Sequence, residues 1–141
     1  MIQGKIVNLY LKPGHKQPLK EVSTVLAESN MGLVGDTSYG RSKRQVLLIE
    51  KETLDEFGLV PGQIKENITV EGIRLAGLSK GTLLEAGEVS LEITGDCQPC
   101  QFIEDIRPGL RNEMTGRRGT LCRVNKGGSV QVGDSILLAE S

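Results

Sequence analysis

Apolar and polar residues alternate along most of this chain with a period of two, the repeat of strands that bury one face. In Lys5–Leu11, KIVNLYL, the alternation puts Val7, Leu9 and Leu11 on one face, and Pro13 with Gly14 then turns the chain. Glu21–Glu28, EVSTVLAE, is rich in β-branched residues and predicts a second strand. Arg44–Glu50, RQVLLIE, replaces alternation with a continuous apolar run, which predicts a strand buried on both faces. From Lys51 the period lengthens: Leu54 and Phe57 lie three apart, Asp55 and Glu56 between them face water, and Gly58 then Pro61 end a short helix.

After ENITV at residues 66–70, TLLEA and VSLEITG flank Gly87 and Glu88 with Val89, Leu91 and Ile93 alternating, the pattern of a hairpin. Residues 101–114 suit one or two helical turns interrupted at RPG, because Pro108 disfavours helix at Arg107 and removes a backbone donor. The segment from Thr120 to Glu140 predicts a last pair of strands around Gly127 and Gly128. Short strands, glycine turns and minor helices together predict a mainly β fold, a closed or partly open barrel.

Composition narrows the function classes. At 141 residues the chain reads as a single domain, residues 1–141, with no repeat or linker. Lys plus Arg number 17 against 18 for Asp plus Glu, so no overall field draws in nucleic acid or an acidic membrane surface. The start, MIQGKIVNLYLKPG, lacks the basic and apolar regions of a secretion signal, and no run is long enough to span a bilayer, so the expected location is the cytoplasm. Three cysteines are too few for a disulfide scaffold.

Two of those cysteines stand in GDCQPC, residues 95–100. A thioredoxin-like dithiol needs a strand entering a long helix, and the flanking segments here are hairpin strands and short helices. A structural zinc site would require Cys97, Cys100, Cys122 and His15 to converge with nothing spare, and His15 in KPGHKQP reads as a loop residue. Cys100 follows Pro99 and precedes QFIEDI, which places it at a helix start where unpaired N–H groups favour a thiolate. From position alone that functional reading and a small buried thiol are evenly matched. Cys97 reads as an accessory or a bystander, and Cys122 in TLCRV as core.

Positive charge is local. Between residues 107 and 126 stand Arg107, Arg111, Arg117, Arg118, Arg123 and Lys126 against Glu113 alone. TGRRGT sets Arg117 and Arg118 between glycines, where guanidinium forks and backbone N–H groups reach a phosphate, and GRSKR at 40–44 is a second cluster. Without interleaved aromatics these clusters suit an anionic small molecule better than single-stranded nucleic acid.

The ordered blocks GLVGDTSYGRSKRQVLLIEKE, GQIKENITVEGI and LSKGTLLEAGEVSLEITGDCQPC, followed by RPGL, GRRG and GGSVQVGD, resemble the MOSC domain, the module named for the C-terminal domain of molybdenum cofactor sulfurases. The resemblance runs from about Gly32 to Asp134 and is to a short stand-alone member. It implies a barrel of the pyruvate-kinase β-barrel type and a working cysteine at the Pro-Cys position, here Cys100, as molybdenum ligand or persulfide carrier. It also implies an anionic molybdenum cofactor (molybdopterin), with Asp36, Arg44, Glu66 and Asn67 near the pocket and Arg117 and Arg118 suited to its phosphate. The implied activities are reduction of N-hydroxylated compounds or carriage of sulfur from a pyridoxal-phosphate-dependent desulfurase; binding without turnover is the third reading. The chain departs from the family in reading Thr37, Ser38 and Tyr39 where many members have a histidine, and in having Cys97. It carries no pyridoxal phosphate site, so a sulfur- or electron-donor protein is the expected partner.

Overall fold

A computed structural model describes residues 2–139. Its strands are β1 (Gln3–Leu11), β2 (Lys20–Val22), β3 (Thr24–Glu28), β4 (Gly32–Leu33), β5 (Val46–Glu50), β6 (Ile68–Glu71), β7 (Leu83–Ala86), β8 (Val89–Asp96), β9 (Thr120–Lys126), β10 (Gly128–Gln131) and β11 (Ser135–Leu138). Three short helices, α1 (Lys51–Glu56), α2 (Gln101–Ile106) and α3 (Leu110–Glu113), lie between them. Hydrogen bonding runs β11-β7-β8-β9-β5-β6-β1, and β1 pairs with β11 to close a seven-strand barrel. Closure leaves these strands without a free edge along the ring. The strands β10, β3 and β4 form a second, smaller sheet.

Where local pattern and pairing agree, the expected elements are present. Gly87 at φ 58° turns the β7–β8 hairpin, Gly58 at φ 71° follows the end of α1, and Gly109 at φ 88° follows Pro108 in the break between α2 and α3. Every residue of β5 is buried, as its apolar run predicts. Val46 and Leu48 join the barrel interior with Ile6, Leu9, Ile68, Leu91 and Val124. Ile49 instead packs outside the barrel against Leu54, Leu59, Ile64, Ile103, Leu110 and Met114 of the helical layer. Each such fully buried aliphatic side chain contributes about 1.5–3 kcal/mol of transfer free energy, so this layer fixes the helices against β5.

Three expectations are corrected. A register shift between Ile6 and Asn8 in the β1–β6 pairing turns the alternation of β1, so Ile6 and Leu9 point inward while Val7 and Leu11 are only half-buried. The run EVSTVLAE breaks at Ser23, pairing β2 onto β1 of the barrel and sending β3 to the small sheet. The last strands do not form a hairpin: β9 pairs with β8 and β5, whereas β10 pairs with β3. Gly127 permits that divergence, since a Cβ there would come within 2.6 Å of the Ala27 carbonyl oxygen.

Among the described residues, no helix is long and apolar enough to cross a membrane.

Candidate functional site

The ends of several strands converge on a basic cavity of about 180 Å³. Lys12 enters just past β1, Lys65 and Asn67 just before β6, Cys97 just past β8 and Arg118 just before β9. The β4–β5 loop supplies Ser38, Arg41 and Arg44, and Leu47 and Leu121 form apolar wall. Leu47 and Leu121 pack directly on Cys97, which is 6% exposed.

Two buried polar residues position this wall. Asp36 accepts from the Lys12 N–H at 2.8 Å and the Ser38 N–H at 3.0 Å, and Asn67 Nδ2 donates to the same carboxylate at 3.0 Å. Asn67 Nδ2 also donates to the Tyr10 carbonyl at 3.1 Å, and its Oδ1 accepts from the Leu47 N–H at 2.9 Å. Asn67 thus ties β1, β5 and the β4–β5 loop together with both its N–H donors used. Asp36 and Asn67 therefore shape the cavity by holding backbone, and Asp36 offers the cavity little spare acceptor capacity.

Positive charge concentrates at the cavity. Lys12, Arg41, Arg44, Lys65 and Arg118 line it, and among the described residues none of the five has a salt-bridge partner. Arg118 is 6% exposed, yet its Nε and Nη1 have no hydrogen-bond partner. Burying a charged donor without an acceptor is costly, and the usual compensation is an anion. Desolvation lowers the Lys12 pKa below the ordinary 10.5, opposed by Asp36 and reinforced by Arg118 and Lys65. Arg44 Nη2 points at Cys97 Sγ from 3.8 Å, so the buried thiol shares the cavity with these cations.

The expected site residues divide. Arg44, Asn67 and Arg118 line the cavity, and Asp36 braces its wall. Glu66 is buried but faces elsewhere, accepting from the Gly62 N–H at 2.8 Å and the Thr69 hydroxyl at 2.7 Å through Oε2. Arg117 turns away from its neighbour: it pairs with Glu56 and lies over the Phe57 ring, 5.2 Å from the centroid. Cys100 stands at the N-cap position of α2, as the sequence predicts, without a side-chain cap hydrogen bond, and it is exposed and does not line the basic cavity. The thiol in the cavity is Cys97. Its place was hidden because the turn after β8, pinned by the Cys97 N–H to Gly119 carbonyl bond at 2.9 Å, decides which cysteine points inward. Lys12 and Lys65, which lie outside both basic clusters of the sequence, were also missed.

A larger groove of about 850 Å³ lies beside α1, lined by Glu50, Glu52, Glu56, Arg74 and Arg117 among others. Its acids already serve the fold: Glu50 accepts from the Leu75 and Ala76 N–H groups, Glu52 from the Gly72 N–H, and Glu56 holds Arg117. Among the described residues no group of three or more His, Cys, Asp or Glu side chains is placed to hold a metal ion. Cys97 supplies the one sulfur among the residues that line the cavity.

Comparison with known proteins agrees with this architecture. The fold is similar to that of the YuaD protein of Bacillus subtilis, at a TM-score of 0.82 and 21% identity, covering 96% of this chain and 94% of that one. It is also similar to YiiM of Geobacillus stearothermophilus, with TM-score 0.74 and 18% identity over 97% of this chain and 75% of that one. For YiiM of Escherichia coli the TM-score is 0.72 and the identity 18%, over 97% and 70% of the two chains. No curated protein sequence matches significantly. A family model described as the MOSC domain matches residues 35–137, a span that holds most of the barrel and every cavity residue except Lys12, and the chain belongs to the MOSC domain family.

Proposed function

We propose that the basic cavity binds the anionic end of a molybdenum cofactor and that Cys97 is the protein thiolate offered to the metal. The observation that carries this reading is the buried Arg118 guanidinium with two unpartnered nitrogens, set among four other cations beside a buried thiol. At an effective dielectric of about 20, two unit charges about 4 Å apart interact by roughly 4 kcal/mol. Like charges gathered around one cavity repel, and a bound phosphate turns that repulsion into attraction.

The residues fit part of the group. Arg41, Arg44, Arg118, Lys12 and Lys65 suit a phosphate monoester, and a thiolate is a soft ligand suited to a soft metal centre. At about 180 Å³ the cavity is smaller than the roughly 300–1,000 Å³ of whole-ligand pockets, so the pterin ring would extend beyond it. When bound, the cofactor supplies redox chemistry of the kind used to reduce N-hydroxylated compounds. The chain's own part is to hold the phosphate and present the thiol against the apolar wall of Leu47 and Leu121.

The test is molybdenum and pterin analysis of protein produced in a cofactor-making host. Cofactor retained in the wild type, with molybdenum lost in Cys97→Ser and kept in Cys100→Ser, supports the assignment. Molybdenum lost in Cys100→Ser and kept in Cys97→Ser overturns it in favour of the exposed thiol.

The exposure of Cys100 favours a second reading, in which a partner desulfurase delivers persulfide sulfur to Cys100. Mass spectrometry after incubation with a desulfurase and cysteine would show 32 Da added at Cys100 (one sulfur atom, roughly 32 Da), and its absence would remove that reading.

A further inference from the structure

The cavity combines a thiol and an anion site in a space too small for a whole organic cofactor. We infer that Cys97 accepts sulfane sulfur from a small sulfur oxyanion of the thiosulfate class bound on Arg118 and its neighbouring cations. This rests on the cavity reading above and adds a substrate class and a reaction to it.

Four features carry the inference. First, about 180 Å³ takes a tetrahedral oxyanion entire. Second, Arg118 lines the cavity in a side chain 94% buried by its 6% exposure and, among the described residues, makes no hydrogen bond or ion pair, so an acceptor such as a sulfonate oxygen suits it. Third, a thiolate attacking a dianion meets charge repulsion, and here five cationic residues line the cavity that holds Cys97. Fourth, among the described residues the lining holds no free carboxylate or histidine to act as general acid or base, since Asp36 is committed to backbone and Asn67. Sulfane transfer to a cysteine needs neither group.

The step balances without another reactant. The Cys97 thiolate forms a bond to the terminal sulfur of thiosulfate, the S–S bond of thiosulfate breaks, and its electron pair leaves with sulfite. Sulfur moves in the zero oxidation state, and charge is conserved between thiolate plus thiosulfate and persulfide plus sulfite. Arg118 and Arg44 then face the departing sulfite dianion, where charge builds as the bond breaks.

The experiment uses the reduced full chain with thiosulfate, reading sulfite release and the mass of the Cys97 and Cys100 peptides after trapping. One sulfite per chain and one added sulfur on Cys97 are expected, absent in Cys97→Ala, retained in Cys100→Ser and at least tenfold slower in Arg118→Met. Sulfur found on Cys100 alone overturns the assignment. Thermal shift with sulfate separates the remaining outcomes and also guards against a variant that fails to fold. Sulfate that raises the wild-type melting temperature while thiosulfate transfers nothing overturns the transfer but leaves the anion cavity standing. No sulfate effect and no transfer overturn both.

Discussion

Arg118→Met should make the ligand-free protein more stable while removing its response to anions. Arg118 is 6% exposed with Nε and Nη1 unpartnered, and each unsatisfied buried donor costs about 1–3 kcal/mol. Methionine fills most of the same volume, adapts to irregular space and carries no donor. Allowing for lost contacts of the guanidinium, the net gain is on the order of 2 kcal/mol. Unfolding entropy of about 2.1 cal/mol/K per residue over 141 residues gives roughly 0.3 kcal/mol/K, so the melting temperature should rise by about 7 °C. In the wild type, sulfate at about 100 times its dissociation constant should add about 2.7 kcal/mol, and in the variant almost nothing. The assay is thermal unfolding by circular dichroism over a sulfate series at constant ionic strength with chloride. A variant less stable than wild type in the absence of sulfate, with an undiminished sulfate shift, refutes the argument that Arg118 is a buried cation awaiting an anion.

Asn67→Ala should cost about 2–3 kcal/mol in urea unfolding, because the Leu47 N–H, the Tyr10 carbonyl and Asp36 each lose a buried partner. Leu54→Ala should cost about 2–5 kcal/mol by opening a cavity in the helical layer, with the sulfate shift preserved since the layer lies outside the site. Anion binding should take up protons and weaken as pH rises toward 10.5. Burial lowers the folded Lys12 pKa below that of the unfolded lysine, so the free protein gains stability as pH rises through the window between the two, and a bound anion reverses the shift. Calorimetry in buffers of different ionisation enthalpy reads this, and proton release on binding would contradict it. Cys122, whose thiol burial pushes far up, should resist iodoacetamide until the chain unfolds, while Cys100 reacts in the folded state.

Much of the barrel was legible because its strands carry their own pattern. The apolar run of β5 foretold burial on both faces, and Gly87, Gly58 and Pro108 marked their breaks before any pairing was known. What escaped depends on pairing. The shift at Ile6 and Asn8 reassigns the faces of β1, and the destinations of β3 and β10 follow from a sheet that no local window encodes. The site followed the same division. Asp36, Arg44, Asn67 and Arg118 lie in blocks that resemble the family and come together, while adjacent Arg117 and Arg118 line different pockets. At Gly119, with φ 141°, a Cβ would come within 2.7 Å of Leu47 Cδ1. Lys12 and Lys65 have no sequence neighbours of like charge in the cavity and become part of it only through strand order. The choice between Cys97 and Cys100 turns on the direction of two side chains three residues apart, which no composition or spacing decides.

The most direct test of the cavity is crystallographic, with selenate as a tetrahedral anion visible by anomalous scattering. The account predicts a peak beside Cys97 within hydrogen-bond distance of Arg118 and Arg44, lost in Arg118→Met. A well-occupied peak only elsewhere on the surface, with the Arg118 guanidinium still unpartnered, would contradict it.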